Sequence, residues 1–170
     1  MKLTNLFGIV LFSICSVMMC SCDNSDLPDD NMIWDFNCFD IAIQVKNAAG
    51  EDLLNPETTG CITDKGLKAI YNEKVYEKDS TLNKAYPRFN MPRWEGLHTY
   101  KKDKQYYLMF GEFSPCSGYH GEKFILDWND GTKDTISFDL YITWKKKEPT
   151  VHFNMYLNDK KVEKELVIVK

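Results

Sequence analysis

Between Phe124 and Trp144 the apolar residues keep strict step. Phe124, Leu126 and Trp128 stand two apart, Asn129-Asp130-Gly131-Thr132 interrupts, and Ile136, Phe138, Leu140, Ile142 and Trp144 resume the spacing. A period of two puts all of these side chains on one face of an extended chain, whereas a helix would scatter them around its circumference. Asp130-Gly131 is suited to a tight turn, because glycine adopts positive φ at little steric cost. The segment therefore reads as a β-hairpin with one apolar face that needs a partner layer.

The rest of the chain offers only more strands as that partner. Phe39, Ile41, Ile43 and Val45 alternate with polar residues, as do Val151, Phe153, Met155 and Leu157, and a last strand runs from Glu165 to Val169. Leu67–Tyr71 and Lys74–Glu77 form two short strands turning at Asn72-Glu73. Lys104–Phe113 carries aromatic residues at both parities, which predicts a strand buried on both faces. Ahead of Phe39 the parity reverses, with Trp34, Phe36 and Cys38 at even positions, so a bulge or bend is expected near Cys38. Ser114–Gly121 and Lys145–Pro149 read as connections, and Asp79–Asp103 as a long irregular stretch holding short strand pieces. No stretch sustains a period of 3.6. The expected fold is all-β, an immunoglobulin-like or similar antiparallel β-sandwich of about eight strands.

The amino end obeys different rules. Lys2 is followed by an apolar run from Leu6 to Val17 and then by Met19-Cys20-Ser21-Cys22. That run is too short to span a bilayer and has the form of a cleaved secretory signal. Small Ser21 before Cys22 resembles the lipobox of bacterial lipoproteins, which makes Cys22 the lipidated residue. The domain plan is a signal at 1–21, an acidic tether at 22–32 with almost nothing to bury, and a sandwich domain at 33–170. The formal net charge is −4 over the whole chain, and losing the signal removes Lys2 and no acid. Nucleic acid is not an expected partner of such a chain, and the membrane is expected to be met through the lipid on Cys22. Beyond Cys22 remain Cys38, Cys61 and Cys116. In an oxidising compartment one pair can bridge, and a Cys38–Cys61 link closing about 24 residues would add roughly 3 kcal/mol. Alternatively all three are small buried hydrophobes.

Gly50-Glu51-Asp52-Leu53-Leu54-Asn55-Pro56, the Leu67–Tyr71 and Lys74–Tyr76 pair, and Phe124-Ile125-Leu126-Asp127-Trp128-Asn129-Asp130-Gly131-Thr132 together resemble a group of small lipoproteins of Bacteroides and its relatives. The likeness spans most of the chain after Cys22. It implies a lipid anchor, a β-sandwich and no catalytic residues. The acidic residues after Cys22 also resemble the signal that carries such lipoproteins to the outer face of the outer membrane. The Asp127–Thr132 turn is locally similar to that of polycystic-kidney-disease-type domains, with Asn129 where that pattern usually has glycine.

Three constellations carry chemistry. Asp127, Asn129, Asp130 and Asp134 gather oxygens around one turn, but twelve residues along from Asp127 stands apolar Phe138 where a calcium loop needs glutamate, so they are read as turn-formers and no metal is expected. Cys116 and His120 are the one pairing suited to a nucleophile and its base. Trp94, Tyr100 and Tyr119, with Arg93 and His98, are the candidate binding residues if their loops meet at one end of the sandwich. The functional expectation is a cell-surface, non-enzymatic lipoprotein of the outer membrane that needs no cofactor and binds a glycan or an envelope protein, or forms part of an envelope assembly. The alternative is a small envelope hydrolase or transpeptidase using Cys116 and His120.

Overall fold

The computed structural model describes residues 33–79 and 96–170. The alternating segments form ten strands: β1 (Phe39–Lys46), β2 (Lys68–Tyr71), β3 (Lys74–Glu77), β4 (Leu97–Lys102), β5 (Gln105–Phe113), β6 (Tyr119–Asp127), β7 (Lys133–Lys145), β8 (Glu148–Leu157), β9 (Lys160–Val162) and β10 (Leu166–Val169). They make two sheets, ordered β10-β1-β5-β4 and β3-β2-β6-β7-β8-β9. Strand β10 runs parallel to β1, while β1–β5, β2–β3, β2–β6, β4–β5, β6–β7 and β8–β9 pair antiparallel. The chain is an all-β sandwich.

Its core is the alternating residues read above. Ile41, Ile43, Leu108 and Phe110 of one sheet meet Phe124 and Phe138 of the other, all almost fully buried. Each such side chain contributes roughly 1.5–3 kcal/mol by leaving water. Along one side the sheets are joined by a parallel bridge between Lys78 and Leu97, where the Asp79 amide donates to the Leu97 carbonyl at 2.7 Å. The compact unit comprises Ile33–Thr143 and Pro149–Lys170; the β7–β8 tip, Trp144–Glu148, falls outside it.

The turns explain the hairpins. Asn72-Glu73, Lys146-Lys147 and Asn158-Asp159 all take positive φ at both residues, the pattern of a two-residue turn that matches the twist of its strands. The Lys145–Pro149 connection thus narrows to two lysines, with β8 already begun at Glu148. At the β6–β7 turn Gly131 has φ +87, as the sequence demands, and Asn129 joins it at φ +58.

Two expectations need correction. Ser114–Gly121 is not wholly a loop: a single 3-10 turn, Pro115–Ser117, ends at Gly118 with φ +64, and β6 begins directly at Tyr119. Composition hides this because the strand starts with a bulge, one extra residue between Tyr119 and Glu122, housed by Gly121 at φ +63. Strand β5 is also not buried on both faces. Leu108, Phe110 and Phe113 point inward, whereas Tyr107 and Met109 lie on the other face and are only half-covered.

The irregularity expected near Cys38 lies beside it. Residues 33–38 form no strand, and the register of β1 and β5 slips between Phe39 and Asp40. The unmatched residue is Glu112 on β5, with φ +122 next to Gly111 at φ +128.

Candidate functional site

The two bulges sit at the same end of the sandwich and have the same effect. On β5 the inward residues are even, Leu108 and Phe110, until Glu112 is skipped and Phe113 turns inward. On β6 they are even from Phe124 on, but the bulge at His120-Gly121 lets odd Tyr119 face inward as well. Phe113 and Tyr119 meet edge to face at 5.4 Å, and both pack on Phe138, at 4.6 and 5.7 Å. Tyr71 stands edge-on to Phe110 and Phe113 at 5.9 and 5.8 Å, and Tyr76 to Phe110 at 5.6 Å. Such edge-to-face pairs add roughly 0.5–1.5 kcal/mol each beyond burial.

Above this cluster opens a cleft of about 420 Å³. Its walls are Tyr71, Tyr76, Tyr119 and Phe113, with Lys74 and Glu112 bringing opposite charges and Cys38 and Ser114 at one rim. Both Lys74 and Glu112 are exposed. Burial pushes the Tyr71 hydroxyl up to about 12, helped by the charge of Glu122 and by its hydrogen bond to that carboxylate. Tyr71 therefore keeps its proton, and acts as a hydrogen-bond donor, throughout the physiological range. The cleft combines ring faces, hydroxyl groups, an ammonium and a carboxylate, the equipment of a site for a polar organic ligand.

The candidate residues named from sequence are dispersed. Tyr119 lines the cleft. His98 and Tyr100 lie on the outer face of β4, opposite Met109 and Tyr107 of β5, since their neighbour Leu97 points into the core. Burial lowers the pKa of His98, against the pull of Asp79 and Asp40. Arg93, Trp94, Cys22, where lipidation is expected, and the segments 1–21 and 22–32 lie outside the described residues.

Cys116 is exposed on the 3-10 turn. The His120 ring packs on Tyr141 at 4.8 Å, and Tyr141 stacks on His152 at 4.8 Å, forming a ladder across β6, β7 and β8. His152 Nε2 meets the Thr143 hydroxyl at 2.7 Å.

The acidic turn is built from its own oxygens. Asp127 accepts from the Asn129 amide, and Asp130 from the amide and hydroxyl of Thr132. Asp134 accepts from the buried Trp128 indole at 2.7 Å and from Asn158 at 2.7 Å. Lys170 lies 4.5 Å over the Trp128 ring and 3.5 Å from Asp130. No group of three or more His, Cys, Asp or Glu suited to a metal ion occurs among the described residues.

Tyr71, Tyr76, Lys74, Phe113 and Glu112 were not singled out from sequence. A signal was there: apolar parity changes between Phe110 and Phe113 and between Tyr119 and Phe124, and a glycine stands in each gap.

Fold and cleft together define a β-sandwich with an aromatic-lined cleft at one end. No family model, curated protein or solved structure matches the chain.

Proposed function

We propose that this protein is a lipid-anchored, non-enzymatic component of the outer membrane, exposed at the cell surface, whose sandwich binds a glycan in the bulge-formed cleft. The observation that carries this reading is the convergence of Tyr71, Tyr76 and Tyr119 with Lys74 and Glu112 in one open cleft. Sugar rings offer apolar C–H faces and a rim of hydroxyls, which tyrosine rings and charged hydrogen-bonding groups serve together. A volume of about 420 Å³ also lies in the usual range for small-molecule sites, roughly 300–1,000 Å³. The anchor rests on Ser21-Cys22 after the apolar run, and the outward direction on the acidic residues that follow. The likeness to small Bacteroides-type lipoproteins supports the same address.

A screen of envelope and host glycans with the full chain, wild type and Lys74→Ala, tests the cleft. A hit weakened about tenfold or more by Lys74→Ala, with unchanged melting temperature, supports the reading. Finding no glycan ligand, or a hit indifferent to Lys74, refutes it. A fast-reacting Cys116 thiol that activity-based hydrolase probes label only when His120 is intact would instead favour the enzyme.

A further inference from the structure

The three cysteines after the anchor position are not equivalent. Cys61 lies beyond the carboxyl end of β1: the Leu53 amide bonds to the Val45 carbonyl, and the Ile62 amide to the Leu53 carbonyl. Cys38 lies at the opposite end, just before Phe39. Seven residues of extended chain separate Cys38 from Val45, about 23 Å at the rise of a strand, so Cys38 and Cys61 are too far apart to bridge. Cys61 is engaged locally, with its sulfur 3.0 Å from the Thr63 hydroxyl.

Cys116 comes to the same end of the sandwich as Cys38. Phe39 pairs with Phe113, so Cys38 and Ser114 each stand one residue beyond the last pair of the antiparallel ladder, and both line the cleft. The chain does not run on past Ser114. Pro115–Ser117 coils it into one 3-10 turn, closed by the Ser117 amide on the Ser114 carbonyl at 3.0 Å, which keeps Cys116 beside that rim. Both cysteines are exposed, so an oxidant can reach them. The effect of Cys116 on Cys38 agrees with this placement: after burial, and after Glu112 and Asp40, the charge of Cys116 raises the pKa of Cys38.

We propose that Cys38 and Cys116 are a disulfide-forming pair that tethers the start of β1 to the turn after β5 at the rim of the cleft. This stands apart from the glycan reading and does not depend on it. The oxidant is a disulfide-bearing compound or oxidoreductase. One cysteine thiolate attacks a sulfur of the oxidant's disulfide, forming a mixed disulfide and releasing one thiol. The second thiolate then displaces the oxidant's remaining sulfur. Two S–H bonds are lost, one S–S bond forms, and the oxidant leaves as two thiols.

The test uses the full chain equilibrated with oxidised glutathione, alkylated without reductant, digested and mapped by mass spectrometry. The expected product is a peptide joining the Cys38 and Cys116 segments, two hydrogens lighter than their sum, while Cys61 takes the alkylating label. Cys38→Ser raises labelling of Cys116 about tenfold or more by removing its partner. Cys61→Ser keeps the link, which holds the test open should Cys38→Ser fail to fold. Alkylation of both Cys38 and Cys116 in the oxidised wild type, or a link that includes Cys61, overturns the proposal.

Discussion

Gly111 is where the cleft is most sensitive to a single methyl group. A Cβ added there would lie 2.4 Å from Phe113 Cε2 and 2.5 Å from Phe113 Cδ2, on a backbone with φ +128. The ring has little room to retreat, because Phe138, Tyr119 and Tyr71 surround it at 4.6–5.8 Å. Gly111→Ala therefore incurs two costs: roughly 1–3 kcal/mol for a side chain at that φ, and roughly 1–3 kcal/mol for overpacking. Their sum is centred near about 4 kcal/mol. With an unfolding entropy of about 0.3 kcal/mol/K for a domain of this size, the melting temperature falls by about 10–15 °C. The assay is urea and thermal unfolding followed by circular dichroism. Gly131→Ala is the control, having φ +87 but open space around the new Cβ, so only backbone strain of about 1–2 kcal/mol applies. Adding Phe113→Leu removes part of the obstructing ring, and the double variant should be about 1–2 kcal/mol more stable than the single changes summed. A Gly111→Ala loss no larger than that of Gly131→Ala, or strict additivity with Phe113→Leu, would refute the steric account.

Other perturbations have expected outcomes of their own. Tyr71, raised from 10.0 to about 12, keeps its proton in the folded state after it is lost in the unfolded one. Its contribution is complete below pH 10 and disappears as pH rises towards 12, so unfolding midpoints should fall across that window, less steeply in Tyr71→Phe. An identical slope in both proteins would contradict this. Asn158→Ala removes the bonds to Asp134 and to the Thr135 amide, at 2.7 and 2.9 Å, at a turn with φ +48. A loss of about 1–2 kcal/mol is expected, with a change in Trp128 emission because Asp134 also holds that indole. Once oxidised as proposed, a Cys38–Cys116 bond would close a loop of about 80 residues, and its reduction should cost about 4–5 kcal/mol, read as a lower urea midpoint with reductant. Cys38→Ser should show no such dependence on reductant.

How far the sequence could be read depended on distance along the chain. The hairpin from Phe124 to Trp144 was legible because its period, its turn residues and its pairing lie within one short window. The β2–β3 pair was legible for the same reason, although Asn72-Glu73 holds no glycine. The cleft was harder, because each wall residue is ordinary by itself. Tyr71 and Tyr76 become a site only when β2 pairs with β6 and Phe110 is brought from the other sheet. Tyr119 was chosen as a loop aromatic and stands instead in a strand, whereas Tyr100 shares its residue type but faces away on β4, as His98 does.

The sequence alone was enough to determine that this chain is a self-covering β-sandwich, because a period of two with no helical period leaves a sheet no other cover. It also determined the turns at Asn72-Glu73 and Asn129–Thr132, since those depend on a few adjacent dihedrals. Only the tertiary structure decided which end carries the cleft and which cysteines come to that end. The cysteines follow from the antiparallel pairing of β1 with β5, and the cleft from single-residue slips in register, at Glu112 in β5 and at Gly121 in β6. A slip of one residue moves every later side chain to the other face of its strand, and its position is set by pairing with a distant strand.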